Sequence, residues 1–88
     1  MSELKNMNRM KIELVTQTDV LEFMTIASQA EGEVYIEDGT GNLRISAKSI
    51  LGVKMASVEW NDLYAVYSDP NISSKIFKYA RWGVVYYV

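Results

Sequence analysis

The chain has 88 residues, of which 49% are apolar and 23% charged, and its net charge is −2. This length allows one domain, and Lys and Arg do not form the basic stripe of a nucleic-acid-binding protein. There is no cysteine and no histidine, which excludes disulfides, thiolate chemistry and the commonest general base and metal ligand. We therefore expect neither an enzyme nor a bound metal or cofactor.

The N-terminal sequence MSELKNMNRMK is polar and lacks the apolar core of a signal peptide. No apolar run approaches the ~20 residues of a membrane span. We expect a cytoplasmic protein that does not insert into a membrane. The composition predicts a flexible lead over residues 1–9, one domain over residues 10–82, and an apolar and aromatic tail over residues 83–88.

Apolar periodicity predicts the first elements in chain order. Residues 11–15 (KIELV) alternate as in a strand, and residues 19–31 place apolar side chains at helical spacing. Thr18 or Asp19 is the expected N-cap of this helix, and Asp19 with Glu22 has the spacing of a capping box. Gly32 follows where a left-handed cap is common. Residues 33–37 and 43–46, joined by the turn sequence DGTGN, predict a β-hairpin.

The second half predicts a short helix at SILGVKMAS, a strand over residues 62–68 and a last helix that begins near Pro70. The expected apolar stripe of that last helix is Ile72, Ile76, Phe77 and Ala80. The order β-α-β-β-α-β-α predicts an α+β fold, in which four mainly antiparallel strands carry three helices on one face.

Two sets of polar residues are expected to be exposed to solvent. The first set lies on the open face of the sheet and comprises Lys11, Glu13, Arg44 and Ser46. The second set borders the hairpin and comprises Glu31, Glu33, Glu37 and Asp38, which favours a solvated acidic rim over a metal site.

The element order, with SAKSILG opening the second helix, resembles the histidine-containing phosphocarrier protein (HPr) of the bacterial sugar phosphotransferase system. The resemblance covers roughly residues 10–80, and AKS followed by apolar residues is its most specific part. Other features agree in place, namely EF early in the first helix and EVYI as the second strand. The resemblance implies an open-faced β-sandwich.

The family carries a phosphoryl group on a histidine at the start of its first helix, followed by an arginine and a proline. Anchoring the resemblance on Phe23 puts these three positions at Thr16, Thr18 and Asp19. None of the three family residues is kept, so the resemblance does not imply phosphocarrier activity. The hydroxyl of Thr16 lacks an activating base, and the charge of Asp19 would repel phosphate.

The family also has a serine at the start of its second helix that a dedicated kinase phosphorylates in many Gram-positive bacteria, and this position matches Ser49. A serine there is also an ordinary N-cap. A phosphate at a helix N-terminus meets free amides and the positive end of the helix dipole. The apolar neighbours Ile50, Leu51 and Val53, with Lys48, form the docking surface that the resemblance implies.

The tail YARWGVVYYV permits three interpretations: packing against the core, an added strand at a sheet edge of this chain or a neighbour, or an exposed adhesive end. A homodimer contact would use Val84, Val85, Tyr86, Tyr87 and Val88. Two functions remain open. One is a regulatory module that docks a partner of the phosphotransferase or HPr-kinase type. The other is an assembly module that has left that pathway and associates through its tail.

Overall fold

A computed structural model describes the backbone of residues 7–86 and the side chains of residues 7–81. The first six residues of the predicted lead, and Tyr87 and Val88 of the tail, lie outside the described residues. The remainder of the lead enters the sheet, because the first strand begins at Asn8. None of the described helices is long and apolar enough to cross a membrane.

The described residues form five strands, three α-helices and one short 3-10 helix. The strands are β1 (Asn8–Ile12), β2 (Val34–Glu37), β3 (Arg44–Ser46), β4 (Leu63–Tyr67) and β5 (Ala80–Tyr86). The helices are α1 (Gln17–Ser28), α2 (Ile50–Glu59) and α3 (Pro70–Ile76), and the 3-10 helix is Phe77–Tyr79. The first seven elements have the predicted order, β-α-β-β-α-β-α.

The strands form one antiparallel sheet in the order β3-β2-β4-β1-β5. The predicted number of four strands is wrong, because residues 80–86 add a fifth strand beside β1. The last helix ends at Ile76. Of the three interpretations of the tail, an added strand on the chain's own sheet is the one that this pairing supports.

The core lies between one face of the sheet and the three helices. Met10, Ile36 and Ala65 of the strands are in one cluster with Phe23 of α1 and Ile72 of α3. The stripe predicted for the last helix is only partly right. Ile72 and Ile76 are buried, but Phe77 lies past the end of α3 and is exposed, and Ala80 begins β5.

Gly41 adopts a left-handed conformation with φ +79° in the turn between β2 and β3, and this confirms the predicted hairpin. Gly32, after α1, also has a positive φ, of +85°. A side chain is strained at such angles, which explains why glycine occupies both positions.

The face of the sheet opposite the helices is not a simple solvated surface. Glu37 of the predicted acidic rim is only 1% exposed. Its carboxylate accepts hydrogen bonds from Arg9 Nε at 3.2 Å and from Arg44 Nε at 3.0 Å. The Arg9 guanidinium also lies 3.5 Å from the centroid of the Tyr64 ring. The expectation of a solvated Glu37 is therefore wrong, because two arginines from other strands cover and neutralise it.

The cross-strand register explains this arrangement. Lys11, Tyr64, Glu37 and Arg44 are consecutive partners across β1, β4, β2 and β3. Residues in one such row share a face of the sheet, so their side chains contact each other across the strands. Lys11 also forms an ion pair with Asp62 at 3.3 Å.

Candidate functional site

The start of α1 holds Thr16, Thr18 and Asp19, the three residues that the resemblance aligns with phosphocarrier positions. Thr16 is the N-cap, with φ −109° and ψ 164°, and its hydroxyl accepts a hydrogen bond from the Asp19 amide at 3.0 Å. The Asp19 carboxylate accepts in return from the amides of Thr16 at 3.1 Å and Val15 at 2.9 Å. This is a capping box, but it begins two residues earlier than the first predicted cap, Thr18. Thr18 lies within the first turn and does not cap the helix.

Glu22 does not take the predicted place in a capping box. Its carboxylate instead accepts hydrogen bonds from the Tyr79 hydroxyl at 2.7 Å and from Lys78 Nζ at 3.0 Å. The hydrogen bond from Tyr79, followed by the contact with Lys78, lowers the pKa of Glu22. Burial and the neighbouring Glu22 carboxylate raise the pKa of Tyr79 well above its ordinary value. Glu22 therefore fixes α1 to the segment that leads into β5.

The electrostatics at the start of α1 disfavour an added anion. The backbone amides of Thr16 and Val15 hold the pKa of Asp19 below its ordinary value, so Asp19 is charged at neutral pH. A negative carboxylate thus already lies at the start of α1, where it would repel a phosphate. That Thr16 carries no phosphoryl group stays a prediction.

The start of α2 has the same type of cap without the acid. Ser49 is the N-cap, as predicted, with φ −92° and ψ 108°, and its hydroxyl accepts from the Gly52 amide at 3.3 Å. The first turn of α2 contains no acidic residue, and Lys48 directly precedes the cap. The Ser49 hydroxyl therefore lies at the positive end of a helix dipole with no nearby carboxylate in its own turn.

Gly52 brings the start of α2 close to the sheet. A Cβ atom at position 52 would lie 3.1 Å from Ile45 Cδ1 of β3 and 3.1 Å from Ser49 Oγ. Both distances are tighter than ordinary van der Waals contact, so a larger residue would displace either the strand side chain or the capping hydroxyl. Glycine thus allows Ser49 to cap the helix directly above β3.

The predicted docking residues separate into exposed and buried positions. Lys48, Ile50 and Leu51 are exposed, and Leu51 reaches 79%. Val53 is 1% exposed and packs in the core. Its assignment to the docking surface is therefore wrong, because it lies on the side of α2 that faces the sheet.

The structure adds exposed apolar side chains that are not among the predicted docking residues. Met55 and Val58 of α2 are exposed, Val58 at 83%, and so is Val15 before α1. Leu51, Met55 and Val58 have the spacing i, i+4 and i+7, which places them on one stripe of the helix. We call the set Val15, Ile50, Leu51, Met55 and Val58 the α1–α2 surface.

A shallow groove of about 200 Å³ connects the two helices. Val15, Thr16 and Gln17 line one side of it, and Lys54 and Val58 line the other. At this groove the start of α1 lies beside the second half of α2, whereas Ser49 caps the opposite end of α2. At 1.5 Å per residue, Ser49 is separated from the α2 residues of the groove by roughly 8–14 Å along the helix axis. Thr16 and Ser49 therefore border one surface but do not form a single chemical site.

No metal-binding group of three or more His, Cys, Asp or Glu residues occurs among the described residues. The chain was compared with models of known families, with curated proteins and with solved structures, and none of the three comparisons gives a significant match.

Proposed function

We propose that the chain is an HPr-like protein without phosphocarrier activity, which docks a partner protein through the α1–α2 surface. The observation that carries this proposal is the exposure of large apolar side chains, above all Leu51 and Val58, beside the starts of two helices. Contiguous apolar side chains at a protein surface are typical of an interaction site. The element order β-α-β-β-α-β-α supports the HPr-like assignment.

The partner that we propose is a phosphotransferase component, or a regulator, that recognises phosphocarrier proteins. Such a partner would cover the apolar side chains of α2 and recognise the charge at the start of α2. Phosphorylation of Ser49 would add close to two negative charges at the edge of this surface. Docking and phosphorylation are therefore coupled, because both involve the first turn of α2.

A pull-down from the native host tests this proposal. We expect the wild-type chain to recover a phosphotransferase component or a sugar-responsive regulator, identified by mass spectrometry, and Leu51→Ser to lose it. Leu43→Ser is the matched control, because Leu43 is also exposed and apolar but lies in the turn before β3. Recovery of an unrelated protein only, or equal loss in both variants, would contradict the proposal.

A second candidate is an assembly module that no longer takes part in the pathway. The observation that favours it is the position of β5 at the edge of the sheet.

A further inference from the structure

The strands at the two edges of the sheet differ in length, and the longer one is open to pairing with another strand. At one edge β3 has three residues, and at the other edge β5 has seven. β5 pairs with β1 on one side, and no described strand pairs with it on the other side. A long unpaired edge presents a row of backbone N–H and C=O groups that can hydrogen-bond to another strand.

The protection of an edge strand by charge or proline is nearly missing from the sequence of β5, although its pairing with β1 shifts register between Met10 and Ile12. Proteins commonly place charged residues, above all lysine, or proline on such strands to prevent pairing with another chain. Residues 82–88 (WGVVYYV) contain no charge and no proline. The single charge in β5 belongs to Arg81, and it is directed to the chain's own Glu13, with 2.5 Å between Nε and Oε1.

We infer that β5 pairs with β5 of a second copy of this chain, so that two five-stranded sheets join into one. Identical strands can pair antiparallel about a two-fold axis. This arrangement pairs both β5 edges with each other, so that neither β5 edge remains open to a third copy. Valine and tyrosine, which dominate residues 84–88, are among the residues most favoured in strands.

The distribution of charge fits a second copy as the partner strand. In the register that pairs the whole of β5 with itself, residue 83 lies on the two-fold axis, within the stretch where the pairing of β5 with β1 shifts register, and residue 81 pairs with residue 85 of the second copy. The two Arg81 residues are then four positions apart along the strands, or roughly 13 Å at 3.3 Å per residue. This exceeds the Debye length of roughly 8 Å at physiological salt, so the two like charges are largely screened from each other.

Single-cysteine variants test this pairing directly, because the chain has no cysteine of its own. Residues on the two-fold axis of an antiparallel pair have Cα atoms about 4.5–5.5 Å apart, within the range of a disulfide. Under mild oxidation we expect Gly83→Cys to form a covalent dimer. Val85→Cys should not, because its two copies would lie roughly 13 Å apart. Leu51→Cys is the control for association through the α1–α2 surface.

Two measurements on the wild-type chain accompany the cross-linking, because a cysteine at position 83 alters the strand that it reports on. Light scattering should give twice the monomer mass at high protein concentration. Hydrogen exchange of the β5 amides should slow as concentration rises, while exchange in β3 should not change. A chain that stays monomeric at every concentration, or a dimer that Gly83→Cys does not cross-link, overturns the inference. Neither outcome bears on docking through the α1–α2 surface.

Discussion

The starts of α1 and α2 are alike in geometry and opposite in charge. At each, a hydroxyl side chain in an extended backbone conformation accepts a hydrogen bond from an amide three residues later. At α1 the Asp19 carboxylate completes the box and occupies the amides of Thr16 and Val15. At α2 no acid follows Ser49 in the first turn.

From this difference we expect that a hydroxyl cap at a helix start is not sufficient for the helix start to accept a phosphate. Both starts direct amides outward, but only the start of α2 can receive a negative charge without repulsion from a carboxylate in its own first turn. The resemblance to the phosphocarrier family leads to the same division, since it fails at Thr16 and persists at Ser49.

The largest expected effect is the complete loss of phosphorylation in one of two matched variants. We expect an HPr-type kinase with ATP to add one phosphate to the wild-type chain and to Thr16→Ala, but none to Ser49→Ala. The reason is that only the start of α2 combines a hydroxyl cap with the absence of a nearby acid. Intact-mass measurement checks this, and an unmodified wild-type mass would remove Ser49 as a regulatory site.

The next effect concerns the stability that each cap contributes. Loss of a hydroxyl N-cap typically costs about 1 kcal/mol. We expect about 1 kcal/mol for Thr16→Ala, whose hydrogen bond measures 3.0 Å, and about 0.5 kcal/mol for Ser49→Ala, whose hydrogen bond measures 3.3 Å. Urea unfolding measures both free energies. A larger loss for Ser49→Ala would show that the two caps are ranked wrongly.

The α+β class, the hairpin and the cap at Ser49 could be predicted from the sequence because each depends on local signals. Alternating apolar residues, a Gly-rich turn and a serine before an apolar run all act within a few positions. The cap of α1 was harder to place for the same reason. Thr16, Thr18 and Asp19 are all good N-caps, and spacing alone does not choose among them.

The remaining features depend on contacts between distant parts of the chain. Helix α2 is apolar on two sides, with Leu51, Met55 and Val58 on one and Val53 with Ala56 on the other, and periodicity does not show which side faces the sheet. The burial of Glu37 depends on Arg9, 28 positions away. The fifth strand depends on the free edge of β1, which a sequence pattern does not reveal.

A smaller effect should appear when a negative charge is placed at each cap. Aspartate is itself a good N-cap, so we expect Ser49→Asp to leave the free energy of unfolding almost unchanged. Thr16→Asp puts a second carboxylate beside Asp19, and we expect it to be less stable than Ser49→Asp by about 0.3 kcal/mol. The difference should shrink in 1 M NaCl, where the Debye length is about 3 Å. A difference that does not change with salt would point to a cause other than charge repulsion.

The smallest expected effect is a pH dependence confined to the start of α1. Hydrogen bonds from Thr16 and Val15 lower the pKa of Asp19 in the folded chain, so its carboxylate stabilises the fold above the unfolded pKa of about 3.9. That contribution is lost as the pH falls through the lower, folded pKa. We therefore expect the difference in unfolding free energy between wild type and Asp19→Ala to be constant from pH 7 to about pH 5 and to shrink towards pH 2.

Ser49→Ala provides the control for this titration, because neither serine nor alanine ionises and no acid lies in the first turn of α2. The difference between wild type and Ser49→Ala should stay level over the same pH range. Urea titrations of the three proteins at matched pH values measure both differences. If the Ser49→Ala difference also falls with pH, a carboxylate from another element acts on the start of α2. The two helix starts would then differ less in charge than their own first turns indicate.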